Sequence, residues 1–107
     1  METLADQLAL IGRHVDRAIA AVTSDSGASP VLVAIVRELA RKHQKTAAGL
    51  PGADERLARE LVVEVEQAAD CAKVAALADP GVGADARHLV EVAHDAICLV
   101  KFETAPT

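Results

Sequence analysis

Aromatic residues are almost missing from this chain: its 107 residues include one phenylalanine, Phe102, and neither tryptophan nor tyrosine. Carbohydrate sites and single-stranded nucleic-acid sites depend on aromatic stacking platforms, so neither is expected here. An excess of positive charge is lacking as well. Asp and Glu number 16 against 11 Lys and Arg, for a net charge of −5, so no nucleic acid is expected as a partner. Long apolar runs are absent too, because Arg, Asp, Glu or Lys breaks every stretch short of the ~18–20 residues a bilayer span requires. No membrane partner is expected. The opening METLADQLAL carries neither the basic flank nor the unbroken apolar core of a secretion signal, and a cytoplasmic location is the expectation. Cysteine is scarce: Cys71 and Cys98 form no Cys-x-x-Cys element and read as isolated structural thiols.

What the chain does contain is aliphatic periodicity. Leu4, Leu8, Ile11, Val15, Ala18 or Ile19, and Val22 recur at helical spacing, as do Leu32, Ile35, Val36, Leu39 and His43. A third stripe runs through Leu57, Leu61, Val65, Ala68, Ala72 and Ala75, widened by Ala58, Val62, Ala69 and Ala76. The fourth takes in Ala86, Leu89, Ala93, Ala96, Ile97 and Val100, flanked by Val90, Val92 and Leu99. Breaks fall at Ser24-Asp25-Ser26-Gly27, at Pro51-Gly52 and at Asp79-Pro80-Gly81. Ser29-Pro30 and Asp54 supply the start signals that follow the first two. Helices are therefore predicted over about 2–23, 30–48, 54–79 and 84–103. Short connections make sequential neighbours antiparallel, so the expected fold is all-α, an up-down-up-down four-helix bundle in one domain. Gly12, beside the first stripe, marks a close backbone contact. No internal repeat is evident.

Chemistry-bearing residues are few. Helical phase puts His43 on the apolar stripe of the second segment, at the end of the bundle where Glu60, Glu64 and Glu103 are expected. A histidine meeting carboxylates there could hold a metal ion or act as a general base. Glu91-x-x-His94 has the form of a di-iron ligand element. It has no second copy, and it is predicted to point outward with Arg87 and Cys98 as an exposed polar ridge. Arg87-HLVEVA-His94 resembles the arginine and histidine pair of HEPN-type ribonucleases over about two turns of helix, which would imply RNA cleavage. His43-QKTAA-Gly49, with Lys45, resembles the phospho-accepting segment of histidine phosphotransfer domains, although the lysine and glycine stand at other positions. No cofactor is implied.

Outward apolar residues offer the remaining signal. Val63, Val74, Leu77 and Phe102 fall off the core stripes and form the expected interface of a non-enzymatic bundle that acts through protein contacts. Its partner is a second copy of itself, as a homodimer, or another protein.

Overall fold

The computed structural model describes the backbone of residues 3–104 and the side chains of residues 3–100. It contains four helices: α1 (Leu4–Ser24), α2 (Pro30–Gly49), α3 (Glu55–Ala78) and α4 (Ala84–Thr104). Each start has a local cause. Thr3 caps α1, its hydroxyl accepting from the Asp6 amide at 3.1 Å while the Asp6 carboxylate accepts from the Thr3 amide at 3.1 Å. This reciprocal box moves the start of α1 slightly inward of the predicted boundary. Ser29 caps α2 ahead of Pro30, and Asp54 caps α3 by accepting from the Leu57 amide at 2.8 Å. Among the described residues no helix is long and apolar enough to cross a membrane.

The helices pack in a ring, α1 on α2, α2 on α3, α3 on α4 and α4 back on α1. Cross-links between opposite ends show the neighbours to be antiparallel. Late in α2, the His43 Nε2 lies 2.8 Å from the Leu8 carbonyl oxygen at the start of α1, and Thr46 Oγ1 donates to the Leu61 carbonyl, 3.2 Å away, early in α3. The fold is the expected four-helix bundle. Its core consists of Leu8, Ile11, Val15, Ala18 and Val22 of α1, Leu32, Val36 and Leu39 of α2, and a largely Val and Ala set from the other pair. At about 25 cal/mol per Å² this aliphatic burial is the main term holding the bundle together.

Two helices sit slightly rotated within their predicted stripes. In α3 the buried line is Leu61, Val62, Val65, Ala69, Ala72 and Ala76, while Leu57 stands 43% exposed. In α4 it is Ala86, Val90, Ala93, Ile97 and Val100, and Leu99 is 66% exposed. Both helices carry apolar residues around much of their circumference, so hydropathy alone leaves their angular setting loose and the neighbouring helices decide it.

The structure also has a repeat that was not expected from the sequence. Reciprocal bonds between equivalent positions imply an approximate two-fold axis between the α1–α2 and α3–α4 hairpins. One constant offset in the sequence aligns Asp25 with Asp79, Gly27 with Gly81 and Val36 with Val90, and sets Leu8, Ile11, Val15, Ala18 and Val22 against the buried Val62, Val65, Ala69, Ala72 and Ala76. At one end the two connections latch each other. Asp25 accepts from its own Gly27 amide at 2.8 Å and from the Gly83 amide, just before α4, at 2.7 Å. Asp79 accepts from its own Gly81 amide at 3.0 Å and from the Ser29 amide, just before α2, at 2.8 Å. Each hairpin turn thus caps the second helix of the other. Gly27 and Gly81 meet back to back, and a Cβ on either would overlap the carbonyl of its counterpart.

Candidate functional site

His43 sits where the periodicity placed it, half-buried on α2 against α1. Its Nε2 faces the Leu8 carbonyl, and the ring lies over Gly12, where an added Cβ would come within 2.9 Å of its Cε1. Gly12 is therefore the close contact anticipated from the sequence. A groove of about 360 Å³ opens beside the ring, walled by Ala5, Ala9, Ala47, Leu50 and Pro51 and containing no carboxylate. Glu60 and Glu64 line a different depression, on the far side of α2, with Lys45, Arg56 and Arg59. Glu60 pairs with Arg56 at 3.2 Å, and Glu64 bridges to Lys42 at 3.5 Å and Lys45 at 3.3 Å. The Lys45 bond and the two ammonium groups hold the Glu64 carboxyl below its ordinary range. The structure does not bring His43, Glu60 and Glu64 together. The side chain of Glu103 lies outside the described residues.

The second histidine is in a richer setting. Because the core line of α4 runs through Val90, the residues Arg87, Glu91, His94 and Cys98 are half-buried along the seam with α3 and do not form the exposed ridge expected. Here His94 Nε2 lies 2.7 Å from Asp70 Oδ1 and 3.4 Å from Cys98 Sγ. Its other ring nitrogen, Nδ1, lies 3.0 Å from Asp95 Oδ1. The His94 side chain is only 13% exposed, whereas Asp70 is 52% exposed. Burial pushes the Cys98 thiol above its ordinary pKa, and the negative charges of Asp70, Glu66 and Asp95 push it further. Cys98 is consequently a protonated thiol at neutral pH in the protein alone. Cys71 is exposed on another face of α3, and both cysteines are free.

No family model, curated protein or solved structure matches the chain. Among the described residues, Asp70, His94 and Cys98 are the one grouping of three potential metal-ligating side chains that closes up, with one donor atom from each within 4.8 Å of the others. This grouping was missed in the sequence because its parts come from two helices. The available signal was His94-x-x-x-Cys98, two donors one helical turn apart on one flank.

Of the expected interface residues, Val74 and Leu77 are exposed, at 66% and 55%, and Val63 is half-buried. The three lie at helical spacing on the outward stripe of α3, with Gln67 and Asp70 between them. The side chain of Phe102 lies outside the described residues. Arg87, the arginine of the ribonuclease-like pair, donates to the Val82 carbonyl at 3.4 Å, while His94 turns to Asp70.

Proposed function

We propose that this protein is a non-enzymatic interaction module that pairs with a second copy of itself along the outward stripe of α3. The observation that carries this reading is the exposure of two large apolar side chains, Val74 and Leu77, on one stripe of a helix whose opposite face already fills the core. Burying such a side chain is worth about 1.5–3 kcal/mol, and an isologous contact counts each one twice. Antiparallel pairing of two α3 helices sets Val63 of one copy against Leu77 of the other, with Asp70 at the centre. There the 2.7 Å contact with His94 turns the Asp70 carboxylate into the seam and lessens repulsion across the axis. The gain is modest against the cost of association, so the dimer is a weak one, forming in the micromolar range or above.

Sedimentation velocity across a concentration series tests the reading. The expected result is a concentration-dependent shift from monomer to dimer, abolished by Val74→Lys with Leu77→Lys. A protein that stays monomeric throughout, or a dimer indifferent to both lysines, refutes it.

A further inference from the structure

We propose that the α3–α4 seam is a binding site for one divalent transition-metal ion of the zinc class, held by His94 Nε2, Asp70 Oδ1 and Cys98 Sγ. The donor set is an imidazole, a carboxylate and a thiol, the mixture of nitrogen, oxygen and sulfur that suits zinc and its neighbours and not calcium or magnesium. The spacing suits it as well. A tetrahedral ion with metal–nitrogen and metal–oxygen bonds of about 2.0–2.2 Å and a metal–sulfur bond of about 2.3 Å sets its ligand atoms roughly 3.3–3.7 Å apart. Sulfur and nitrogen already stand at 3.4 Å. Oxygen and nitrogen, at 2.7 Å, need to separate by about half an ångström. Asp70 can supply that movement, because its side chain is half exposed.

The imidazole gives a second argument. Each of its ring nitrogens faces a carboxylate oxygen, Nδ1 toward Asp95 and Nε2 toward Asp70. With the ring proton on Nδ1, the Nε2 lone pair points toward Asp70 and Cys98. Asp95 takes the part that outer carboxylates play around metal-bound histidines: it accepts from Nδ1–H and leaves the Nε2 lone pair directed at the ion. Glu66 of α3 lies near enough to act on the Cys98 thiol, adding negative charge around the cation. The fourth coordination position falls to water.

The other hairpin supplies an internal control. The approximate two-fold carries Asp70, His94 and Cys98 onto Asp16, Ala40 and Gln44, of which the first alone is a residue type that ligates zinc. The bundle builds the equivalent seam without this set, so the histidine and cysteine are not demanded by the fold.

The test uses untagged, reduced, chelator-stripped protein, titrated with Zn²⁺ by calorimetry and with Co²⁺ by absorbance. One ion should bind per chain, and the cobalt form should show a thiolate-to-metal charge-transfer band together with the intense visible bands of a tetrahedral site. His94→Ala and Cys98→Ala should each weaken Zn²⁺ binding by at least about tenfold and remove the charge-transfer band, while Cys71→Ser leaves both unchanged. Circular dichroism on each variant separates loss of ligand from loss of fold, and His94→Gln replaces His94→Ala if the latter unfolds. Absence of saturable binding overturns the proposal, as does a cobalt form without the thiolate band. Binding that survives the combined His94→Ala and Cys98→Ala change also overturns it. Because the stripped protein can be sedimented in parallel, failure of metal binding and failure of self-association are read separately.

Discussion

The two hairpins of this bundle share a backbone plan and a set of buried positions, yet they use their histidines in opposite ways. In α1–α2, His43 replaces the aliphatic residue that its two-fold counterpart, Ile97, provides, and it packs on Gly12 with Nε2 against a backbone carbonyl. In α3–α4 the counterpart of Gly12 is Glu66, and a different position carries the histidine, His94, facing carboxylates and a thiol. The first arrangement is closed: one ring nitrogen is used by the backbone, and the neighbouring groove is apolar. The second is open, because its donors converge at a half-exposed seam. A histidine on a helical bundle is thus defined less by its phase than by what the adjacent helix presents to it.

The equivalence of the two hairpins is most sensitive at the glycine pair. Gly27 and Gly81 have no positive φ that would require glycine; among the described residues only Gly52 does, with φ 81°. What excludes alanine at Gly27 and Gly81 is the opposing backbone. Because a carbonyl cannot rotate away as a side chain can, Gly27→Ala and Gly81→Ala should each destabilise by about 3 kcal/mol or more, by urea denaturation. Equal losses uphold the symmetry, and a large loss at one with none at the other breaks it. Gly52→Ala has open space around it, and backbone strain alone should cost about 1 kcal/mol.

The contrast between the histidines can be sharpened at Gly12. Gly12→Ala removes a helix-destabilising residue worth about 1 kcal/mol but presses a methyl against a ring held by the Leu8 carbonyl. The net effect should be a loss of about 1 kcal/mol. In a His43→Ala background the obstruction is gone, and the same substitution should then stabilise by about 1 kcal/mol. A reversal of sign in this double-mutant cycle establishes that Gly12 exists for His43. Additive effects would mean that the ring and the glycine are independent.

The fold was largely legible in the sequence, and the seam was not, for reasons that particular residues make plain. Ser29-Pro30, Asp54 and Asp79-Pro80-Gly81 delimit helices by local hydrogen bonding, which a single chain segment can encode. The angular setting of α3 and α4 depends on neighbours, and their alanine-rich surfaces gave Leu57 and Leu89 undue weight over Val62 and Val90. That rotation is what moved His94 from supposed open surface to the seam. Asp70 enters the cluster only through the packing of α3 on α4. The repeat escaped notice because identity across the axis is sparse and scattered, Asp16 with Asp70, Ala18 with Ala72, Ala21 with Ala75, Asp25 with Asp79, Gly27 with Gly81 and Val36 with Val90, and its meaning appears only when the two turns are seen to cap one another.

The smallest effect at neutral pH, and the most symmetric, belongs to the latch carboxylates. Amide bonds from Gly83 and Gly27 hold the Asp25 carboxyl below its ordinary pKa, and those from Ser29 and Gly81 do the same to Asp79. A group whose pKa is lowered on folding stabilises the protein fully above its unfolded value, about 3.9, and loses that contribution as pH falls through the folded value. Asn at either position keeps one acceptor oxygen of the two in use, so Asp25→Asn and Asp79→Asn should weaken the bundle modestly at pH 7. The deficit should begin to shrink as the pH drops below about 4 and should vanish once it has fallen through the lowered folded-state pKa, where the wild-type carboxylates are themselves protonated. Asp6, Glu38 and Glu64, also lowered, titrate in both wild type and variants and cancel in the difference. Urea midpoints measured from pH 7 to pH 2 report that difference directly. If the two variants follow one curve, the turns are equivalent as capping devices. A deficit that stays constant into acid would mean that Asp25 and Asp79 act through shape and not through charge, and the latch would then be a packing contact between the two glycines alone.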